Sequence, residues 1–362
     1  MGYMDPIEKH VEYLIIGQGI AGSALALTLE EQNKRFLIID DQHRSSSSKV
    51  AAGLIDPLTG KRLALAWKVK EILPHAWAFY SRMETKFKSS FLIKKPIFRF
   101  IFDEKEQKKW VNLQKSSDYG HFFGKSIPKA EAQSICKDAI SAFEIIQAGY
   151  LNLPKFLKLV QSHFLSTNKL IQEVFESRKL EILPKGVRWK NIRADRLVFC
   201  DGYKIQHNPF FSWVPMALAK GDILTLDCPG APQSQTLNFG KWMVPLESGH
   251  FKYGSTYNWS DLTENTSDEA AAQLLSDFSK KLTYSPTLVR HEAGVRPCTK
   301  DAKPLVGHHP KYTQIGILNG FASRGVMQSP FFAEQLVAHF EYQTPITPEA
   351  SINRYAYCYY DA

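Results

Sequence analysis

The stretch "YLIIGQGIAGSALALTLEEQNKRFLIIDD", residues 13 to 41, decides the fold. Leu14, Ile15 and Ile16 form a short continuous apolar run, as in a strand buried on both faces of a parallel sheet. Gly17, Gly19 and Gly22 follow in the G-x-G-x-x-G register. The first glycine allows a tight turn, the second lets a pyrophosphate approach the backbone, and the third lets helix and strand pack closely. A helix from about Ile20 to Gln32 directs its free N–H groups and positive dipole end at that turn, with Ala21 in its first turn. Phe36 to Ile39 read as the second strand, closed by Asp40, whose carboxylate is placed to accept ribose hydroxyls, with Asp41 beside it. Strand, turn, helix, strand and acid together point to a dinucleotide site. A glycine-rich turn without a ligand is the competing reading, and the stretch does not say which dinucleotide.

The chain of 362 residues has room for two domains, or for one with a large insertion. With 44% hydrophobic and 22% charged residues, it is neither disordered nor membranous in composition. No apolar run reaches the roughly 20 residues of a spanning helix. The start "MGYMDPIEKH" has no apolar signal core, and Pro6 stands where a myristoylation motif wants Ser or Thr, so a cytoplasmic location is expected. Five cysteines (136, 200, 228, 298, 358) lack C-x-x-C spacing and suit reduced thiols; no metal site is expected. The net charge is +9, and residues 82–129 hold 12 Lys/Arg against 5 Asp/Glu, an excess of 7. That segment reads as a solvated lysine-rich surface or as a face attracting anions, nucleic acid included.

Further on, "RSSSSKV" (44–50) reads as a loop. Pro57 and Gly60 mark a turn, and a helix from Lys61 onward is expected to break near Pro74. "FLIKKPIFRFIFD" (91–103) reads as strands, and residues 149–166 as an amphipathic helix behind a proline. "KLIQEVF" and "RLVFCDGY" read as two more strands, the second ending at Asp201-Gly202. Residues 205–290 alternate like an antiparallel sheet, after which a strand "YTQIGILNG", the turn "GFASRGVMQSP" and a helix return βα character.

In order along nearly the whole chain, these segments resemble the FAD-dependent D-amino acid oxidase superfamily, which includes glycine and sarcosine oxidases. The resemblance rests on the glycine turn with Asp40, "AAG" with its following Pro, "FCDG", "KGDILTL", "YGSTYNWSD", "GVRPCTKDAKPLVG" and "GFASRGVMQSP". It implies an α/β + β fold: a Rossmann-like FAD-binding domain of the D-amino acid oxidase type (1–90, 150–205 and 291–345), interrupted by an antiparallel-sheet substrate domain (91–149 and 206–290). The implied cofactor is FAD, its ADP half on the glycine turn.

By the same resemblance, Arg44 covers the adenosine or is a solvated loop residue. Ser48, Ala51, Ala52 and Gly53 belong to the loop along the ribityl chain and flavin ring. Val174 offers backbone groups to the adenine, and Gly202 closes the "FCDG" turn. Gly320, Ser323, Arg324, Gly325 and Val326 bring amides and a helix start to the flavin pyrimidine, which favours hydride acceptance. Arg296 in "GVRP" is the expected carboxylate clamp, with an ion pair inside the sheet as its alternative. Tyr257 is expected to offer its phenol to the same carboxylate, and Arg324 to touch substrate or flavin; Lys220 is expected to be structural. The implied activity is oxidation of a C–N bond in a small amine or amino acid carrying a carboxylate. Two alternatives stand beside it: oxidation of a carboxymethylaminomethyl group on tRNA, suggested by "SRG", and a flavoprotein without catalysis.

Overall fold

The computed structural model describes residues 8–42, 46–60 and 62–360, and the chain divides into two compact units. The first comprises residues up to Lys49, Pro154–Ala219 and Val295 onward; the second comprises Val50–Leu153 and Lys220–Gly294. Residues 50–90 therefore group with the second unit.

The first unit is built on a parallel sheet. Strand Lys9–Ile16 pairs in parallel with Phe36–Asp40 on one side and Ile192–Phe199 on the other. Leu170–Gln172 and Ile315–Asn319 extend the parallel order outward. Val187–Trp189 and Leu180–Ile182 add an antiparallel hairpin, and Leu305–His308 pairs antiparallel with Ile315–Asn319. Tyr13, Leu14 and Ile15 are fully buried, as their unbroken apolar run requires of a central parallel strand. Helix Ile20–Glu31 buries ten of its 12 residues, because it packs on the sheet and also against helix Gly325–Tyr342. Each fully buried leucine there, such as Leu25 or Leu29, contributes roughly 1.5–3 kcal/mol.

The second unit holds an eight-stranded sheet in the order Thr287–Arg296, Ala219–Asp227, Phe251–Gly254, Trp242–Pro245, Thr236–Asn238, Ile97–Ile101, Ser141–Ile145, Phe123–Ile127. The alternation in the sequence predicts antiparallel pairing, and the run from Ala219–Asp227 across Phe251–Gly254 and Trp242–Pro245 to Thr236–Asn238 has it. The exception is Thr236–Asn238, which runs parallel to Ile97–Ile101. One face is closed by helix Asp268–Lys281, whose Leu274 and Phe278 pack with Phe100, Leu224, Met243 and Tyr253. Ser267 caps that helix, accepting the Ala270 N–H at 3.2 Å, as its position before two acids predicts.

Two local expectations are corrected. The helix after Gly60 begins only at Val69 and runs unbroken to Phe87, through Pro74. Its buried stripe of Val69, Ile72, Leu73, Ala76, Phe79, Tyr80 and Met83 continues across the proline, and that burial outweighs one lost backbone bond. The strand in "KLIQEVF" stops at Gln172, leaving Val174 beyond it and 60% exposed.

Candidate active site

The glycine turn has the geometry its spacing requires. A Cβ on Gly17 would lie 2.6 Å from the Cys200 carbonyl oxygen, and one on Gly22 would lie 1.9 Å from the carbonyl oxygen of Gly17. Both neighbours are backbone, so strand ends and helix start meet at a separation only glycine permits. Gly19 is the residue before the helix, and its Cβ direction meets only the Ser48 side chain. The Ser48 hydroxyl accepts the Ile20 N–H at 3.0 Å. The amides of Ala21 and Gly22 have no acceptor among the described residues. Donors at the head of a buried helix, on a turn stripped of side chains, fit a pyrophosphate.

Asp40 stands at the end of its strand. One carboxylate oxygen accepts the Gln18 N–H at 2.7 Å and the other the Gln42 N–H at 2.8 Å. Asp41 is paired with the Lys204 ammonium at 2.6 Å. Arg44 lies outside the described residues. Val174, on the chain leaving the strand next to Asp40, has backbone groups without a hydrogen bond among the described residues.

A second network joins the ends of Ile192–Phe199 and Ile315–Asn319. The Asn319 side-chain amide donates to the Asp201 carboxylate at 2.9 Å and to the Gly202 carbonyl at 2.9 Å. Its own oxygen accepts the Gly320 N–H at 2.8 Å, and Asn208 donates to the other Asp201 oxygen at 2.8 Å. Burial pushes the Asp201 carboxyl up to about 6, although these donors pull the other way. Ser323 is exposed, Arg324 is the residue before helix Gly325–Tyr342, and Val326 is buried. A Cβ on Gly325 would touch Ile20 at 2.8 Å, so the starts of the two helices adjoin.

Arg296 ends its strand only 9% exposed, and its carbonyl accepts the Cys298 N–H at 2.9 Å. The next carbonyl, that of Pro297, accepts the Ala322 N–H at 3.3 Å, which brings the Arg296 segment against the turn carrying Arg324. Burial pushes the Cys298 thiol up while the Arg296 guanidinium beside it pulls down.

In the second unit, Ala51, Ala52 and Gly53 are fixed by Tyr150 and Leu151. Ala52 packs with Tyr150 and Val244, and the Leu151 N–H donates to the Gly53 carbonyl at 2.9 Å. Tyr257 lies beyond strand Phe251–Gly254 and is 54% exposed. Lys220 is buried and paired with Asp261.

The sequence reading missed Lys252. It is 6% exposed, its ammonium donates to the Val50 carbonyl beside Ala51, and Glu292 lies 3.7 Å away. Burial lowers its pKa, with Glu292 opposing. The available signal was a lysine between Phe251 and Tyr253 in a strand with every residue buried. Asp222 was missed as well; it is buried in a strand and holds His291 at 2.9 Å and the Thr256 hydroxyl at 3.1 Å. Among the described residues no cluster fit to hold a metal ion occurs, and no helix is long and apolar enough to cross a membrane.

Comparison with known proteins agrees with this geometry. The family model described as DAO, FAD dependent oxidoreductase, matches residues 12–339. The glycine oxidase of Bacillus subtilis (strain 168) is 25% identical over 352 residues, covering 90% of this chain and 91% of that protein. The crystal structure of glycine oxidase from Geobacillus kaustophilus superposes with a TM-score of 0.80 at 17% identity, covering 96% of this chain and 99% of that one. The tRNA 5-methylaminomethyl-2-thiouridine biosynthesis bifunctional protein of Caulobacter vibrioides is 22% identical over 354 residues, which are 92% of this chain and 55% of that protein. A match across most of the chain, on a fold with a dinucleotide turn at its head, places the chain in the DAO family of FAD dependent oxidoreductases.

Proposed function

We propose that the protein oxidises the C–N bond of a small amine or amino acid bearing a carboxylate. The observation that carries this reading is Arg296, a guanidinium buried at the end of a strand and joined through Pro297 to the turn before the last long helix. A buried planar fork suits a carboxylate, which it holds by two parallel hydrogen bonds. The similarity to glycine oxidases supports the same substrate class.

Bound FAD supplies the acceptor for one hydride, that is, for a proton with two electrons. In this reading the first unit holds it. Gly17, Gly19, Ile20, Ala21 and Gly22 take the pyrophosphate, and Asp40 the ribose. Asp41 and Arg44 border the adenosine, and the Val174 backbone meets the adenine. Ser48 fixes the turn by its bond to Ile20. Gly202, Ser323, Gly325 and Val326 offer backbone amides to the rest of the group, while the Gly320 N–H stays with the Asn319 side chain. Arg296 fixes the substrate carboxylate, and Arg324, on the turn joined to it, borders the same place. With the carboxylate held, the Cα–H has one orientation, and orientation replaces a protein base. The amine gives up its proton to solvent before the Cα–H leaves with its electron pair. The iminium product takes up water and separates into an amine and an oxo acid. Dioxygen is the terminal acceptor in this reading and leaves as hydrogen peroxide. Five free cysteines, three of them buried, suit the reducing cytoplasm, where we place the protein.

The test is anaerobic mixing of the purified protein with a panel of amines and amino acids while following the flavin band at about 450 nm. Bleaching by carboxylate-bearing amines is expected. A yellow protein that none of them bleaches would falsify the reading in favour of a flavoprotein without this chemistry. The similarity to the Caulobacter protein supports a second reading, in which the oxidised group is carried on tRNA and the lysine-rich segment 82–129 holds the phosphates. Bleaching by a modified tRNA but by no free amine decides for it.

A further inference from the structure

Within the first unit, Asp201 lies against the glycine turn. The Cys200 N–H donates to the Ile16 carbonyl at 2.8 Å, and a Cβ on Gly17 would lie 3.6 Å from the Asp201 Cα. The Asp201 carboxylate is held by neutral amides. Asn319 donates to one oxygen at 2.9 Å and Asn208 to the other at 2.8 Å, and Asn319 is itself fixed by Gly202 and Gly320. No cation pairs with it among the described residues. The Lys204 ammonium favours its charged form, but that ammonium is held by Asp41 at 2.6 Å. The other titratable groups on the elements around it are few. They are Cys200, whose thiol burial keeps protonated, Tyr203 and His207 on the turn Gly202–His207, and Asp40 at the end of its strand.

A pyrophosphate laid on this turn meets that carboxylate as a like charge, and it also displaces water from its surroundings. Both effects favour the neutral acid over the anion. The network tolerates the change, because an oxygen that takes up a proton still accepts its amide through a second lone pair. We propose that Asp201 is a proton-binding site of the cofactor pocket, so that FAD binding takes up a proton from solvent at this carboxyl. The inference rests on the reading of Gly17 to Gly22 as the pyrophosphate site. Burial alone already brings the Asp201 carboxyl up to about 6, so a further rise carries it into the neutral range. The protonated form then binds FAD more tightly. Affinity is highest below about pH 6 and falls as pH rises above it.

The test is equilibrium dialysis of the FAD-loaded protein between about pH 5 and pH 9, with bound flavin read by absorbance. Affinity is expected to fall about tenfold from pH 6 to pH 8, which corresponds to a rise of one in the pKa of a single group. Mixing the apoprotein with FAD in weak buffer near pH 7 is expected to raise the pH of the solution. Asp201→Asn is expected to flatten the affinity profile and to abolish that change. The native protein decides even if this variant does not fold: an affinity independent of pH, or a release of protons on binding, overturns the proposal. A profile that falls in parallel in Asp201→Asn places the proton on another group and overturns it as well. Gly19→Ala, measured at pH 6, tests the pyrophosphate reading separately. Parental FAD affinity there overturns that reading, whereas weakened binding with a flat native profile overturns the proton site alone.

Discussion

The Asp40 carboxylate accepts the Gln18 N–H at 2.7 Å, so the residue read as the ribose acceptor also ties the glycine turn to the end of the second strand. Its other oxygen holds Gln42. Asp40→Ala removes both bonds together with the acceptor for the cofactor. Hydrogen bonds to a charged group are each worth about 1.5–3 kcal/mol, so FAD affinity is expected to fall roughly 10- to 100-fold. Asp40→Asn keeps one acceptor and is expected to fall in between. Titration of the apoprotein with FAD, followed by flavin fluorescence, measures both; unchanged affinity in the alanine variant would refute the assignment.

Gly22 and Gly19 separate packing from ligand binding. A methyl on Gly22 would sit 1.9 Å from a backbone oxygen, and the helix has to leave the sheet to admit it. Gly22→Ala is expected to cost about 3 kcal/mol or more of stability, at the upper end of overpacking effects. A methyl on Gly19 meets only the end of the Ser48 side chain at 3.1 Å, and that side chain can turn away. Gly19→Ala is therefore expected to melt within a few degrees of the parent while binding FAD weakly. Equal melting losses in the two variants would contradict this separation.

The sequence makes the parallel sheet readable because its strands are buried on both faces. Leu14 to Ile16, Phe36 to Ile39 and Ile315 to Leu318 carry no charged or polar side chain, and short runs of that kind between turn residues mark strands covered above and below. The position of Asp40 at a strand end is readable for the same reason, whereas Arg296 is reached only through the resemblance of "GVRP", because its strand Thr287–Arg296 starts exposed and charged. What is not readable depends on partners far along the chain. Pro74 breaks a helix by local rules, yet the stripe on both sides of it finds a core. Lys252 passes for a surface residue until its neighbours Val50 and Glu292 are known. The buried ammonium of Lys220 finds its partner Asp261 41 residues on, and no local signal joins the two.

Asp201 and His309 titrate in the same range with opposite effect. Burial raises the Asp201 carboxyl from its ordinary 3.8 to about 6, so the folded protein takes up that proton before the unfolded chain does. Its contribution to stability is present at pH near 4 and is lost as pH rises through about 6. Burial lowers His309 from 6.5 to about 4, and its ring nitrogen accepts the amides of Lys311 and Tyr312 at 3.1 Å, a role only the neutral ring fills. Its contribution is full above pH 6.5 and is lost as pH falls through about 4. Each shift corresponds to roughly 3 kcal/mol, so the two nearly cancel between pH 4 and 6. Asp201→Asn leaves the histidine alone in that window. Denaturant unfolding at several pH values is expected to show the variant losing stability on acidification about 3 kcal/mol more steeply than the parent. Parallel profiles would show that Asp201 does not titrate there.

Arg296 carries the substrate assignment, and its test must distinguish loss of binding from loss of fold. Removing one partner of a buried charged contact costs about 2–5 kcal/mol, so Arg296→Ala is expected to lower kcat/KM for carboxylate-bearing amines roughly 100- to 1000-fold, mostly through KM. Arg296→Lys restores the charge without the planar fork and is expected to recover only part of that loss. The deciding comparison is between each substrate and its methyl ester. The parent protein is expected to discriminate strongly in favour of the acid, and Arg296→Ala hardly at all, because the ester has no charge for the guanidinium to meet. Melting temperature and flavin content of the same preparations report on the fold. If the variant keeps its flavin and still prefers the acid to the ester by the parental ratio, Arg296 is a strut of the sheet and the carboxylate is held elsewhere.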